Sequence, residues 1–331
     1  MSQKKISQFQ SFFANYIPDE PLFPMKICSN GEYMMWGVKN DFPPYLLDLV
    51  QNVGELNAII LQMHNYICSA TPYNKNKDVV DRLVMDYLIF GGCVCKVVKS
   101  KDGSEDYLYY VDIANFRTDE TCTKTFLRTD NDSRTFKEVK HKDGVRYYYY
   151  KGSNYRTVYP FPIWYSGLKS AEILNQIRIF NLSNIKQNFS GNGILSIKGS
   201  TLSSQQMKEL KMRIENSFCG AHNAGRVLVV NDNATDCKIE FTRIQPDNLA
   251  DLYSVLQESA QKDLYIAFRI NKMLLGENIM SGFSNQEFRD AFTLFNYSVI
   301  IPIQRRIEEF LLKCGIQYKF ETTQIQFPNH E

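Results

Sequence analysis

The chain has 331 residues, of which 44% are hydrophobic and 22% charged, with a formal net charge of +2. This is ordinary globular composition with material for two or three domains; it supplies no global basic field for wrapping DNA or holding an acidic membrane, and leaves only transient DNA contact open. The eight cysteines (Cys28, Cys68, Cys93, Cys95, Cys122, Cys219, Cys237 and Cys314) are irregularly spaced, which speaks against a secreted disulfide framework, and no apolar stretch reaches the ~20 residues of a membrane-spanning helix.

Residues 1–40 read as an irregular arm, since Pro18, Pro21 and Pro24 forbid a continuous helix. The start of the arm carries Lys4 and Lys5 and no long apolar region, so no secretory signal is expected and the chain is placed in a reducing, cytosolic setting. Trp36–Pro44 follows as a turn, a helix is expected from about Tyr45, and another over roughly Leu56–Cys68. Asp78–Phe90 is an amphipathic helix with Val79, Val80, Leu83, Val84, Tyr87 and Leu88 at helical spacing, stopped by Gly91-Gly92. Asp78, Asp81 and Asp86 read as its solvated face.

The period then changes. Cys93–Lys99, Asp106–Ile113, Lys124–Thr129, Arg134–His141 and Val145–Lys151 are strand-like runs separated by turn chemistry such as Asp102-Gly103 and Asp143-Gly144, which predicts an antiparallel meander. Cys93 and Cys95 would share one strand face, as packing residues. Val158–Pro162 is extended, because Pro160 and Pro162 bias the residues before them away from helix. A helix over Ser170–Phe189 follows, with an apolar stripe of Ile173, Leu174, Ile177, Phe180 and Ile185.

Next comes a compact block: strand Ile194–Lys198, helix Gln205–Ser217 with Ser203 and Gln206 resembling a capping box, then strands Gly225–Asn231 and Lys238–Arg243. Bracketed by long helices, the block is expected at the far end of a two-helix stalk. The returning helix, about Asp247–Arg269, puts Leu249, Leu252, Tyr253, Leu256, Ala260, Leu264 and Ala267 on one face. A loop over Asn271–Asn285 with Gly276 and Gly282 leads to a helix from about Gln286 to Lys313, opened by Ser284 and Glu287 in capping-box register, kinked by Pro302 and stopped by Gly315. A short strand over Tyr318–Phe327 is expected last.

Four stretches in this order are similar to the portal proteins of tailed bacteriophages. They are Val158-Tyr159-Pro160-Phe161-Pro162 with the helix ending Asn188-Phe189-Ser190-Gly191-Asn192-Gly193-Ile194-Leu195; Phe218-Cys219-Gly220-Ala221-His222-Asn223-Ala224-Gly225-Arg226-Val227-Leu228-Val229; Ala267-Phe268-Arg269-Ile270-Asn271-Lys272-Met273-Leu274-Leu275-Gly276; and Ser284-Asn285-Gln286-Glu287 with Phe292, Phe295, Ile301-Pro302 and Ile307-Glu308. The resemblance spans about residues 80–315; order and spacing carry it, since no single motif is specific.

The resemblance implies an α+β portal-like subunit: an α/β wing, a two-helix stem, a small α/β clip, a tunnel loop and a kinked long helix, with the crown that many portals carry absent or vestigial. Residues 1–166 would be arm and wing, 167–190 the first stem helix, 191–245 the clip, 246–270 the second stem helix, 271–285 the tunnel loop, and 286–331 the wing helix and final strand. It further implies a ring of itself, commonly twelve subunits, in the virion after assembly in the host cytoplasm. The implied partners are double-stranded DNA in transit, the large terminase, the major capsid or scaffold protein and tail adaptors, with no membrane. The tunnel loop would bring Lys272, Glu277, Asn278, Met280, Ser281 and Phe283 towards DNA, and the clip would dock terminase or adaptors through Asn192, Lys198, Lys208, Lys211, Asn223 and Arg226. Near-neutral charge suits a channel that must not grip DNA, because each neutralised phosphate adds to the salt-dependent affinity.

Nothing in the sequence marks a reaction centre, so no enzyme activity, cofactor or metal is expected. Gly220–Gly225 has phosphate-loop spacing but lacks the Lys-Ser/Thr pair and leads into a strand. His64, His141, His222 and His330 show no HExxH spacing and read as structural or surface residues, and there is no GxSxG elbow. The rival readings are a nucleic-acid-binding protein or enzyme of unknown type with a helical hairpin, and a monomeric phage scaffold or adaptor.

Overall fold

The computed structural model describes residues 27–28, 31–101, 106–128, 135–140, 144–152, 157–186, 193–198, 205, 238–243, 249–276 and 285–322. Their order is α1 (Phe42–Asn52), α2 (Gly54–Cys68), α3 (Lys77–Phe90), β1 (Cys93–Val98), β2 (Tyr107–Val111), β3 (Phe116–Thr118), β4 (Thr125–Arg128), β5 (Phe136–Glu138), β6 (Val145–Tyr150), α4 (Leu168–Lys186), β7 (Gly193–Lys198), β8 (Lys238–Arg243), α5 (Leu249–Phe268), α6 (Asn285–Phe295) and α7 (Ile301–Lys313). Helices and small antiparallel sheets make it an α+β chain.

The helical layer starts earlier than the turn residues suggested. Pro43 and Pro44 sit in the first turn of α1, where a missing N–H leaves no helical bond unmade. Phe42, Leu46, Leu49 and Val50 form its buried face, and only Val53 separates it from α2. α3 buries Val80, Leu83, Val84, Tyr87 and Leu88 and ends where Gly91 takes φ +83°. A Cβ there would lie 1.8 Å from the Phe161 carbonyl oxygen, so both the left-handed turn and the close approach of the Pro160–Pro162 segment require glycine.

The strands do not form one meander. β1 is the centre of a sheet ordered β2-β1-β6, all antiparallel, with Val94 opposite Val111 and Cys93 opposite Tyr150. β3, β4 and β5 form a second three-stranded sheet, so β6 passes that excursion and returns to β1. β3 was not expected: it has three residues, and it follows a 3₁₀ turn at Ile113–Asn115 held by the Asp112 carboxylate, which accepts from the Ala114 N–H at 2.8 Å. Cys93 and Cys95 are buried as expected of packing residues, with Cys95 Sγ 3.8 Å from Cys314 Sγ.

The two tryptophans anchor the core. Trp36 stacks on Tyr159 with ring centres 4.8 Å apart, and Trp164 donates from Nε1 to the Leu88 carbonyl at 3.0 Å. Arg117 is buried against this group, its guanidinium 4.4 Å from the Phe136 ring centre, with Nε donating to Asn40 Oδ1 at 2.6 Å and Nη1 to the Ala114 carbonyl at 3.0 Å. Burial lowers its basicity to about 10.

The last long helix differs from expectation in where it is interrupted. Asn296–Ile300 form a π-helical turn, and Pro302 falls in the first turn of α7 rather than inside an α-helix. The wider turn shifts the hydrogen-bond ladder just where proline supplies no N–H. The expected final strand over Tyr318–Phe327 is not formed at 318–322, which are irregular; 323–327 lie outside the described residues. Side chains take the backbone bonds instead, Glu308 Oε1 accepting from the Phe320 N–H at 2.7 Å and Thr71 Oγ1 from the Glu321 N–H at 3.0 Å.

Candidate functional site

α4 and α5 lie side by side and antiparallel: Gly167 meets Leu264 and Ala267, Ser170 Oγ reaches Asp263 Oδ2 at 3.2 Å, and the Phe180 and Tyr253 rings are 4.8 Å apart. A Cβ on Gly167 would come within 2.9 Å of Ala267 Cβ and 3.1 Å of Leu264, so this glycine sets how closely the helices approach. Ala171, Leu174, Ala260, Leu264 and Phe268 fill the seam. The root is tied to the body by Arg178, whose Nη1 donates to the Asn52 carbonyl at 2.9 Å and whose Nη2 pairs with Glu55; Gln261 Nε2 donates to Glu55 Oε1 at 3.0 Å.

Both helices also carry apolar side chains that are exposed among the described residues: Ile173, Ile179 and Leu182 on α4, and Val255, Leu256 and Ile266 on α5. This corrects the sequence reading of the stripes. Ile173 is 40% exposed and Leu256 39%, so both sit at the edge of the seam and not inside it. Ile179 and Leu182 on α4, and Val255 and Ile266 on α5, each share a side of their helix away from the seam, and spacing alone does not say which side the partner helix covers.

Between these two helices in the chain, β7 and β8 pair antiparallel from Gly193 opposite Arg243 to Lys198 opposite Lys238. The two strands that enter and leave the expected small block thus meet. Of the expected docking residues, Lys198 falls on β7; Asn192, Lys208, Lys211, Asn223 and Arg226 lie outside the described residues, as do the strand at 225–231 and all but Gln205 of the expected 205–217 helix.

The loop after α5 is more ordered at its start than a free connection. Lys272–Leu275 form a 3₁₀ turn, capped by Asn271 Oδ1 accepting from the Met273 N–H at 3.0 Å. Met273 and Leu274 are buried, the Tyr66 hydroxyl donates to the Leu274 carbonyl at 3.0 Å, and Gly276 closes the turn with φ +85°. The apolar Met273-Leu274 pair explains the docking. Lys272 is exposed at the edge of this turn, while Glu277, Asn278, Met280, Ser281 and Phe283 lie outside the described residues.

Two further readings are corrected. Asp86 is not on a solvated face: it is buried, accepting from the Tyr110 hydroxyl at 3.1 Å and the Ile113 N–H at 3.3 Å. Burial first, then the Asp112 charge, raises its carboxyl well above the usual range. His64 does have metal-like neighbours: a ring nitrogen, Cys68 Sγ and an Asp81 carboxylate oxygen lie within 4.8 Å of one another. The helical spacing of His64 and Cys68 was legible in the sequence; their meeting with Asp81 of another helix was not. His141, His222 and His330 lie outside the described residues.

Residues 65–329 match the family model described as phage portal protein. Among solved structures, an HK97 family phage portal protein from Corynebacterium diphtheriae is similar at a TM-score of 0.51 and 10% identity, over 83% of this chain and 94% of that one. The neck of an empty gene transfer agent particle, computed with C6 symmetry, is similar at a TM-score of 0.50 and 14% identity, over 86% and 85% of the two chains. No curated protein matches the sequence.

Proposed function

Because the chain belongs to the phage portal protein family, we propose that it assembles with copies of itself into a closed ring in the virion, the channel through which DNA is packaged and ejected. The observation that carries this reading is the second apolar face of the α4–α5 pair. One seam is filled within the chain, and Ile179, Leu182, Val255 and Ile266 remain outside it on the same two helices. A ring closes through heterologous contacts between unlike faces of neighbouring subunits, and such a stem offers two unlike sides. The six-fold symmetry used for the gene transfer agent neck supports a ring for this fold.

In this reading residues 1–166 and 286–331 are the wing, α4 and α5 the stem, 191–245 the clip and 271–285 the loop towards DNA. The seated turn Lys272–Leu275 acts as the fixed base from which residues 277–284 reach the channel. Lys272 then stands at the channel wall, and a net charge of +2 per chain keeps phosphate contact weak enough for sliding. The clip, with Lys198 on β7, receives the large terminase during packaging and tail adaptors afterwards, and the wing meets the capsid or scaffold. The work of translocation belongs to the attached motor, so the chain itself is non-enzymatic and takes no cofactor in the channel.

Mass photometry of the purified protein tests the reading. A discrete ring-sized species, twelve subunits being the family expectation, supports it; a persistent monomer at high concentration favours the adaptor reading and overturns the ring. Deleting Ile279–Phe283 should leave the ring intact and impair packaging or DNA retention. Loss of assembly in that deletion would contradict the loop assignment. Nucleotide hydrolysis that tracks this chain through purification would overturn its non-enzymatic role.

A further inference from the structure

His64 and Cys68 stand four residues apart near the end of α2, so they share a face, and Asp81 of α3 faces them. One donor atom from each lies within 4.8 Å of the others. Tetrahedral zinc holds its ligands at roughly 2.0–2.3 Å, which places donors about 3.5 Å apart; side-chain adjustment of about 1 Å closes the set.

From this geometry we propose that His64, Cys68 and Asp81 form a site for a divalent transition metal of the zinc class, clasping α2 to α3. The inference is independent of the ring reading.

The surroundings fit the chemistry. Imidazole with a thiolate favours zinc over magnesium or calcium, which take oxygen donors. Cys68 is buried beside the Asp81 carboxylate, which places a sulfur and an oxygen donor together away from water. Metal binding would displace the thiol proton and leave thiolate, so zinc uptake should release a proton. His64 Nε2 lies 3.0 Å from the Asp81 carbonyl oxygen, so the ring is already held; if Nε2–H donates there, Nδ1 carries the free lone pair.

One charge opposes the metal. Lys77 Nζ stands 3.8 Å from Asp81 Oδ1, although its hydrogen bond, at 2.8 Å, goes to the Cys68 carbonyl. Thiolate and carboxylate together outweigh that single ammonium. The C-terminal segment docks beside the clasp: Glu321 N–H binds Thr71 Oγ1, and the buried Tyr318 hydroxyl, raised to about 12 by burial and then by the Asp81 and Cys68 charges, borders it.

The test uses the full chain, stripped with chelator and dialysed against zinc or cobalt. The expected result is one zinc per chain by elemental analysis, a thiolate-to-cobalt charge-transfer band, and a higher melting temperature with zinc than with chelator. Cys68→Ser and His64→Gln should each weaken zinc binding by more than about 100-fold, beyond the effect of losing an outer-shell partner, and abolish the zinc-dependent shift. Retained zinc stoichiometry in both variants would overturn the site. So would a cobalt-loaded wild-type chain with no thiolate band, a readout that does not depend on either variant folding.

Discussion

Leu264 and Ile266 sit two residues apart on α5 and face opposite fates: Leu264 is 0% exposed in the α4 seam, whereas Ile266 is 63% exposed. Leu264→Ala removes a side chain whose neighbour is backbone, because Gly167 brings α4 so close that an added Cβ would lie 3.1 Å from Leu264. Two packed helices with a glycine contact have little room to collapse into the void, so the loss belongs in the upper part of the usual range, about 3–4 kcal/mol. At about 2 °C per kcal/mol for a large domain, the melting temperature should fall by roughly 6–8 °C. Ile266→Asp acts on a side chain that water already reaches. In the isolated chain it should change stability by no more than about 0.5 kcal/mol. In a ring whose neighbours cover that face, each interface would have to desolvate a carboxylate without a partner, at several kcal/mol, and assembly should collapse. Thermal unfolding followed by circular dichroism and mass photometry read the two effects separately. A wild-type melt for Leu264→Ala refutes the seam. Normal ring formation by Ile266→Asp refutes the role given to the outer face.

Gly91→Ala should lower the melting temperature sharply or leave the protein insoluble, because a Cβ would lie 1.8 Å from the Phe161 oxygen at φ +83°; an unchanged melt would mean the Pro160–Pro162 segment yields freely. Asp86→Asn should show a pH-dependent gain. The unfolded carboxyl titrates near about pH 4, the folded one is raised, so the wild type loses stability as pH rises from about 4 towards the folded value, and the asparagine variant escapes that loss. Denaturant unfolding of both proteins at about pH 4 and about pH 7 checks this, and a stability difference that stays constant between the two would contradict it.

Much of the fold was legible because local rules set it. The helix of α3 ends at Gly91 as the glycine pair required, and Cys93 and Cys95 pack on β1 as their two-residue spacing implied. The order of elements from Val158 onward carried the family resemblance before any contact was known. Other features were not legible because they are pairings between distant segments. β6 bypasses three strands to reach β1, and no turn residue records that choice. Asp86 looked solvated beside Asp78 and Asp81 until Tyr110 and the Ile113 N–H came to it from other elements.

For the candidate site the same division holds. The sequence by itself determined that two long helices flank strands near 194–198 and 238–243, because periodicity and helix-ending residues act over a few positions. Tertiary structure decided which apolar side chains of α4 and α5 are spent inside the chain and that Met273 and Leu274 seat the turn after α5. It also decided that His64 and Cys68 meet Asp81. Periodicity defines the faces of a helix, whereas burial is assigned by whichever distant segment packs against it.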